Sequence, residues 1–296
     1  MFERNPDTAM IGKEILPFEV GYLPEFFQKK AEAELNESQE RKTEKLVELK
    51  KLLSEDKHSK NLIFFDEFLI QFLRVKKYNA EKAFQQLKSY IILRKKNPNM
   101  FVDLSFDSVV KTVNNDIIYV LPWRCHNGCA IIVVELDHWD PDTFSVEEVK
   151  RALVTYLLGS LRDPMTQVNG FKVILDVKSN PMKHLRHCTP SNLHLIYHGA
   201  QQVCPVRYKE VHIIDDSVVF RTVWAIIKHF LSAKIRSRVV HHESPKTLVN
   251  YFPRSVLPKK FGGDLENYDM SDWLRRSMVP EKVATIGGVR NWPSKN

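Results

Sequence analysis

The sequence predicts an α/β protein: an N-terminal three-helix bundle followed by a domain built on a mixed, mainly parallel sheet with helices packed against it. Two observations carry this. From Asn36 to Asn97 apolar residues recur at helical spacing, and after Pro98 short runs rich in Val and Ile alternate with helix-length segments. Size agrees. A chain of 296 residues, 43% of them hydrophobic, can bury one domain of about 200 residues or more with a smaller companion.

Residues 1–35 mix Pro6, Pro17, Gly21 and Pro24 with scattered aromatics, which predicts an extended arm draped over the body. The bundle then spans 36–97. Its first helix, Asn36 to Leu53, sets Leu46, Leu49, Leu52 and Leu53 on one face, with Lys and Glu filling the rest. The second, Phe65 to Lys76, carries Phe65, Phe68, Leu69, Phe72 and Leu73; the third, Ala80 to Lys96, carries Ala83, Phe84, Leu87, Tyr90 and Ile91. Asn97 and Pro98 end the pattern.

The second domain is predicted over 98–273. Its strands are Ile117 to Leu121, Ala130 to Leu136, Phe171 to Val177, Val211 to Ile214 and Arg238 to His241. Helix-length segments between the last four favour parallel pairing. Val146 to Leu161 places Val149, Leu153, Tyr156 and Leu157 on one stripe, and Ser191 to Val203 does the same with Leu193, Ile196, Tyr197 and Ala200. Thr189 and Pro190 suit the start of the latter. From pattern alone these stripes face either a core or a cavity. Residues 274–296 are a tail, and from Gly287 onward it reads as poorly ordered.

Several function classes drop out. No run approaches the ~20 apolar residues that span a bilayer, and Met1 to Gly21 lacks a secretory core, so a cytoplasmic protein is expected. Cys125, Cys129, Cys188 and Cys204 form no CxxC pair and read as reduced thiols. His184, His187, His194 and His198 have no HExxH or acidic partner, so no metal is assigned. There is no phosphate-binding glycine loop and no GxSxG elbow, and no catalytic residue is assigned. The net charge of +8 calls for an anionic partner. Nucleic acid does not fit, because the aromatics concentrate in apolar stripes instead of alternating with Lys and Arg.

Val218 to Leu231 is the unusual helix. Phe220, Val223, Trp224, Ile227, Phe230 and Leu231 give it a broad apolar face, yet fourteen residues reach only ~21 Å, too short to cross a membrane. It suits a core helix or a lid over a greasy pocket. Lys234, Arg236 and Arg238 follow at once, more cations than a helix end requires.

Blocks in this order resemble the CRAL-TRIO family: Phe72-Leu73-Arg74, Ala83-Phe84, Asn169 to Asp176, Pro205 to Ile214, Lys234 to Val239, and Leu257 to Gly263. The likeness runs from about Glu44 to Trp273. It is greatest to the tocopherol-transfer and retinaldehyde-binding branch, and in overall style to that branch's insect members. The resemblance implies a lipid domain whose sheet floors a pocket, and a mobile gate helix that falls on Asp215 to Lys234. It implies a carrier and no enzyme, with one hydrophobic ligand (tocopherol, retinoid, carotenoid or similar) and no other cofactor. It further implies transient docking on phosphoinositide-containing membranes. Together with the stripes, it assigns the pocket to Leu153, Tyr156, Leu157, Phe171, Ile196, Ala200, Val206, Val211, Phe220, Val223, Ile227, Phe230 and Leu231. The phosphoinositide-binding positions that match are Lys76, Arg207, Lys209, Lys234 and Arg238. This chain has Ile214-Asp215-Asp216-Ser217 where many relatives carry a proline before the gate. A phospholipid exchanger, or a lipid-sensing tethering or signalling module, remains the alternative.

Overall fold

The computed structural model describes residues 10–11, 14–15, 21–101, 106–178, 183–184, 186–215, 218–229, 231–266, 274–275 and 288–292. Strands β1 (Met10–Ile11) and β2 (Glu14–Ile15) form a minimal antiparallel ladder. Helix α1 (Glu25–Leu35) then overturns the extended arm over that stretch. Phe27, Ala31 and Leu35 recur every four residues and are its buried stripe, Pro24 precedes it, and Asn36 ends it in the left-handed conformation. Three buried residues among eleven make too narrow a stripe to stand out from sequence.

The bundle comprises α2 (Gln39–Glu55), α3 (Asp66–Val75) and α4 (Ala80–Lys96). Ser38 and Asn79 cap α2 and α4 by accepting from the amides of Arg41 and Lys82. Phe68, Phe72 and Tyr90 pack ring to ring inside it, at centroid distances of 5.2–6.0 Å. Residues 288–292, expected to be poorly ordered, instead dock on this bundle. Val289 is buried and bridges to Phe64, Asn291 accepts from the Ile63 amide at 2.6 Å, and Trp292 stacks on the Arg94 guanidinium. One apolar anchor and one cation–π contact hold a short segment that composition alone marks as loose.

Helix α5 (Phe106–Asn114), not foreseen, leads into the sheet. The sheet contains β3 (Ile118–Val120), β4 (Ala130–Glu135), β5 (Phe171–Asp176), β6 (Tyr208–Ile214) and β7 (Val239–His242), in that spatial order. β3 pairs antiparallel with β4, and the other pairs are parallel, which gives the mixed, mainly parallel sheet expected.

Pairing fixes the two faces. Ile131, Val133, Ile174 and Ile214 point to one of them, where Leu248, Phe252, Val256, Leu257 and Phe261 cover them. The Leu257 to Gly263 block is thus a structural plug. A Cβ at Gly263 would meet the Leu257 carbonyl oxygen at 2.0 Å, so that turn closes only on glycine. The opposite face receives α6 (Val146–Ser160), which Ser145 and Glu148 start with a reciprocal capping box, while α7 (Pro164–Asn169), capped by Asp163, packs against α1 and α3. Further on lie α8 (Pro190–His198), extended by a π-helical turn at 199–203, then α9 (Val218–Ile227) and α10 (Ala233–Arg236). The single helix expected from Val218 to Leu231 therefore ends at Ile227. Ser232 accepts from the Ile235 amide and starts α10 as a separate turn.

Candidate functional site

Two surfaces stand out, one apolar and one basic. On the α6 face of the sheet lie Val134, Val173, Leu175, Val211 and Val239, adjacent through the strand register and only half-buried. Central strands of a parallel sheet ordinarily bury both faces. This apolar floor is therefore under-covered. Above its β7 edge, Trp224 of α9 packs edge-on against His241 at 5.0 Å, and Phe220 stacks on Trp224. Ile226 of the same helix is 55% exposed while Ile227 is 6% exposed, so α9 buries one flank and presents apolar surface on another.

The pocket residues divide. Leu153 and Val211 are half-buried, and Phe220 sits over the edge of the floor. Leu157, Ile227 and Leu231 are buried. Tyr156 and Phe171 are each 0% exposed and pack within the core that supports the floor. Helical and strand periodicity give a side chain's direction but not its depth. Val206 lines the basic cleft. Phe230 lies outside the described residues, as do the side chains of Ile196, Ala200 and Val223.

The basic cleft holds about 190 Å³ and brings together all five predicted cations, Lys76, Arg207, Lys209, Lys234 and Arg238. Each arrives from a different local cause. Lys76 closes α3, and the chain then turns through Lys77 and Tyr78, both left-handed, with φ of 55° and 58°. The Tyr78 amide donates to the Leu73 carbonyl at 2.7 Å and the Lys77 amide to that of Arg74 at 3.0 Å. That is a Schellman ending with lysine where glycine is usual. It points Lys77 into the cleft as a sixth cation, one that sequence reasoning missed.

Arg207 is fixed by Gly170. A Cβ there would strike the Arg207 carbonyl oxygen at 2.0 Å, and φ is +79°. Glycine lets the Phe171 amide donate to that carbonyl at 2.8 Å. The guanidinium also donates to the Val168 carbonyl, and Arg238 donates to that of Tyr208. Lys209 is the second residue of β6, and Lys234 stands on α10. Two side chains, those of Arg74 and Gln86, tie the bundle to the sheet domain beside the cleft. Arg74 grips Glu37 with two bonds, of 2.9 and 2.6 Å, and donates to Gln167 at 2.6 Å, while Gln86 donates to the Cys204 carbonyl at 2.8 Å.

Electrostatics in the cleft are unbalanced. Burial, with Lys234 and Lys82 nearby, lowers the Lys76 pKa. Burial and then Arg238, Arg207, Lys77 and Lys209 lower that of Lys234. Burial also lowers Arg207, against the pull of Glu34. Among the described residues only Glu34 pairs with these cations, reaching Arg207 at 3.2 Å and Lys209 at 3.7 Å. Six cations facing one carboxylate make an anion site.

A helical unit before a mixed sheet, with an under-covered apolar floor beside a cationic cleft, defines an α/β binding protein with two chemically distinct surfaces. The chain belongs to the CRAL/TRIO family, whose domain matches residues 114–263. It is 29% identical over 277 residues to the mouse (Mus musculus) alpha-tocopherol transfer protein-like protein, covering 91% of this chain and 81% of that protein. It is 32% identical over 219 residues to clavesin-1 of Xenopus laevis, covering 73% and 66%. The crystal structure of Sfh5 has the same fold, with a TM-score of 0.52 at 13% identity, covering 75% of this chain and 78% of that one. Among the described residues no helix is long and apolar enough to cross a membrane.

Proposed function

We propose that this chain is a lipid carrier: it encloses one hydrophobic ligand over the apolar floor and exchanges it at membranes whose phosphorylated lipids the basic cleft engages. The observation that carries the reading is the convergence of Lys76, Arg207, Lys209, Lys234 and Arg238 on one cleft beside a helix with an exposed apolar flank. Relatives named for tocopherol transfer support a terpenoid-like ligand.

The physics of exchange favours this arrangement. Drawing a chain of about 15 CH₂ groups through water costs roughly 12 kcal/mol, a factor near 10⁹ in population. Passage from bilayer to apolar floor is nearly neutral. The protein therefore needs only to dock and to open, with no bond made or broken. Cations near an anionic leaflet contribute on the order of 1 kcal/mol each, and Arg engages a phosphate with two charge-assisted hydrogen bonds at once.

The test is the rate at which a fluorescent lipid passes from the protein to vesicles with and without phosphatidylinositol bisphosphate. Replacing Arg207 and Lys234 together with Ala should slow transfer to the vesicles that contain it and leave ligand affinity in solution unchanged. Added salt should weaken the wild-type advantage by screening. Equal rates for both proteins on both vesicles would reject the reading.

A further inference from the structure

Glu34 is out of place. It is a carboxylate on α1 that meets two of the six cations lining the cleft, at 3.2 Å from Arg207 and 3.7 Å from Lys209. α1 holds it there firmly. Phe27, Ala31 and Leu35 are buried, Leu35 lines the cleft itself, and Lys30 one turn earlier donates to the Asn169 side chain at 2.7 Å. The left-handed Asn36 then ends the helix immediately after. Burial works to raise the Glu34 pKa, but Lys209, Lys30 and Arg207 outweigh it, so the carboxylate stays charged.

The cleft is thereby split. Arg207 and Lys209 already share an anion, whereas among the described residues no carboxylate pairs with Lys76, Lys77, Lys234 or Arg238. We propose that Glu34 is a built-in competitor: its carboxylate occupies the place of one phosphate, and a multiply phosphorylated head group must displace it to engage the whole cleft. A singly charged head group meets the open cations without disturbing Glu34. The contact therefore limits affinity for multiply phosphorylated lipid and keeps docking reversible. This rests on the anion-binding reading above and adds the residue that sets its strength.

Co-sedimentation compares vesicles carrying phosphatidylinositol bisphosphate with vesicles carrying phosphatidylserine at the same total charge. Glu34→Gln keeps the shape of the side chain and should bind the bisphosphate vesicles about fivefold more tightly, as removal of a partly exposed ion pair allows. Binding to the serine vesicles should rise less than twofold. Glu32→Gln removes the same charge from an exposed position on the same helix and should behave as wild type, which separates a local contact from net charge. Equal gains on both vesicles, an equal effect of Glu32→Gln, or no gain at all would overturn the proposal. Loss of preference for the bisphosphate in the wild type itself, or its persistence when Arg207 and Lys234 are both Ala, would instead reject the underlying reading.

Discussion

Lys77 sets stability against function in a way that one pair of variants can separate. It sits at φ 55° in the Schellman turn after α3 and lines the cleft. A residue with a Cβ in that conformation costs about 1–2 kcal/mol. Glycine avoids the cost but loses about 0.5–1 kcal/mol more chain entropy on folding. Lys77→Gly should therefore be more stable than Lys77→Ala by close to 1 kcal/mol, read from urea midpoints with unchanged slopes. Both variants remove the same cation. Each should bind phosphatidylinositol bisphosphate vesicles about fivefold more weakly than wild type, the equivalent of about 1 kcal/mol. The stabilising variant is thus as defective as the neutral one. Equal midpoints for Gly and Ala would mean that the turn is unstrained, and undiminished vesicle binding would place Lys77 outside the anion site.

Arg74→Met strands the half-buried Glu37 carboxylate and the buried Gln167 side chain, and should cost about 3 kcal/mol in urea denaturation, with a loss below about 1 kcal/mol contradicting the junction's role. His242 lies 2.9 Å from His212 and 2.7 Å from the Thr247 hydroxyl; burial first, then the charges of His212 and His241, lower its pKa to about 4. An unfolded histidine takes its proton near pH 6.5, so stability should fall by about 1–2 kcal/mol between pH 7 and pH 5. His242→Asn should flatten that slope, and an unchanged slope would assign the acid sensitivity elsewhere.

What the sequence revealed, and what it hid, follows from the kind of signal each feature emits. The five sheet strands are short Val and Ile runs bounded by turns, and α4 follows its apolar repeat from Ala80 to Lys96. Those signals are local and periodic. α7 has six residues, too few for a repeat to register, and α5 follows the proline break with a short stripe around Val109 and Val113. Depth is invisible at this level. Tyr156 and half-buried Leu153 share one predicted stripe, and only tertiary packing decides that one is core and the other is not. The five cations were legible because family blocks fix their positions, while Lys77 depends on a backbone conformation and Glu34 on a helix within residues read as an arm.

The segment 218–242 joins the two surfaces, and its covalent economy matters to the proposed mechanism. α9 touches the edge strand through Trp224 and His241, α10 carries Lys234 seven residues after Ile227 ends the apolar helix, and Arg238 directly precedes β7. Ser232 caps α10 and so divides the apolar helix from the cationic turn, leaving a short joint in place of one rigid rod. An anion that draws on Lys234 and Arg238 therefore pulls on a turn adjacent to α9, without first breaking a continuous helix. Because Arg238 is also tied to the Tyr208 carbonyl at the start of β6, the far end of the joint is anchored to the sheet. On the proposed reading, the free energy of head-group binding is delivered at the movable side of that anchor. An uninterrupted helix from Val218 to Arg238 would have coupled the cleft to the floor far more stiffly than two helices that end at Ile227 and restart at Ala233.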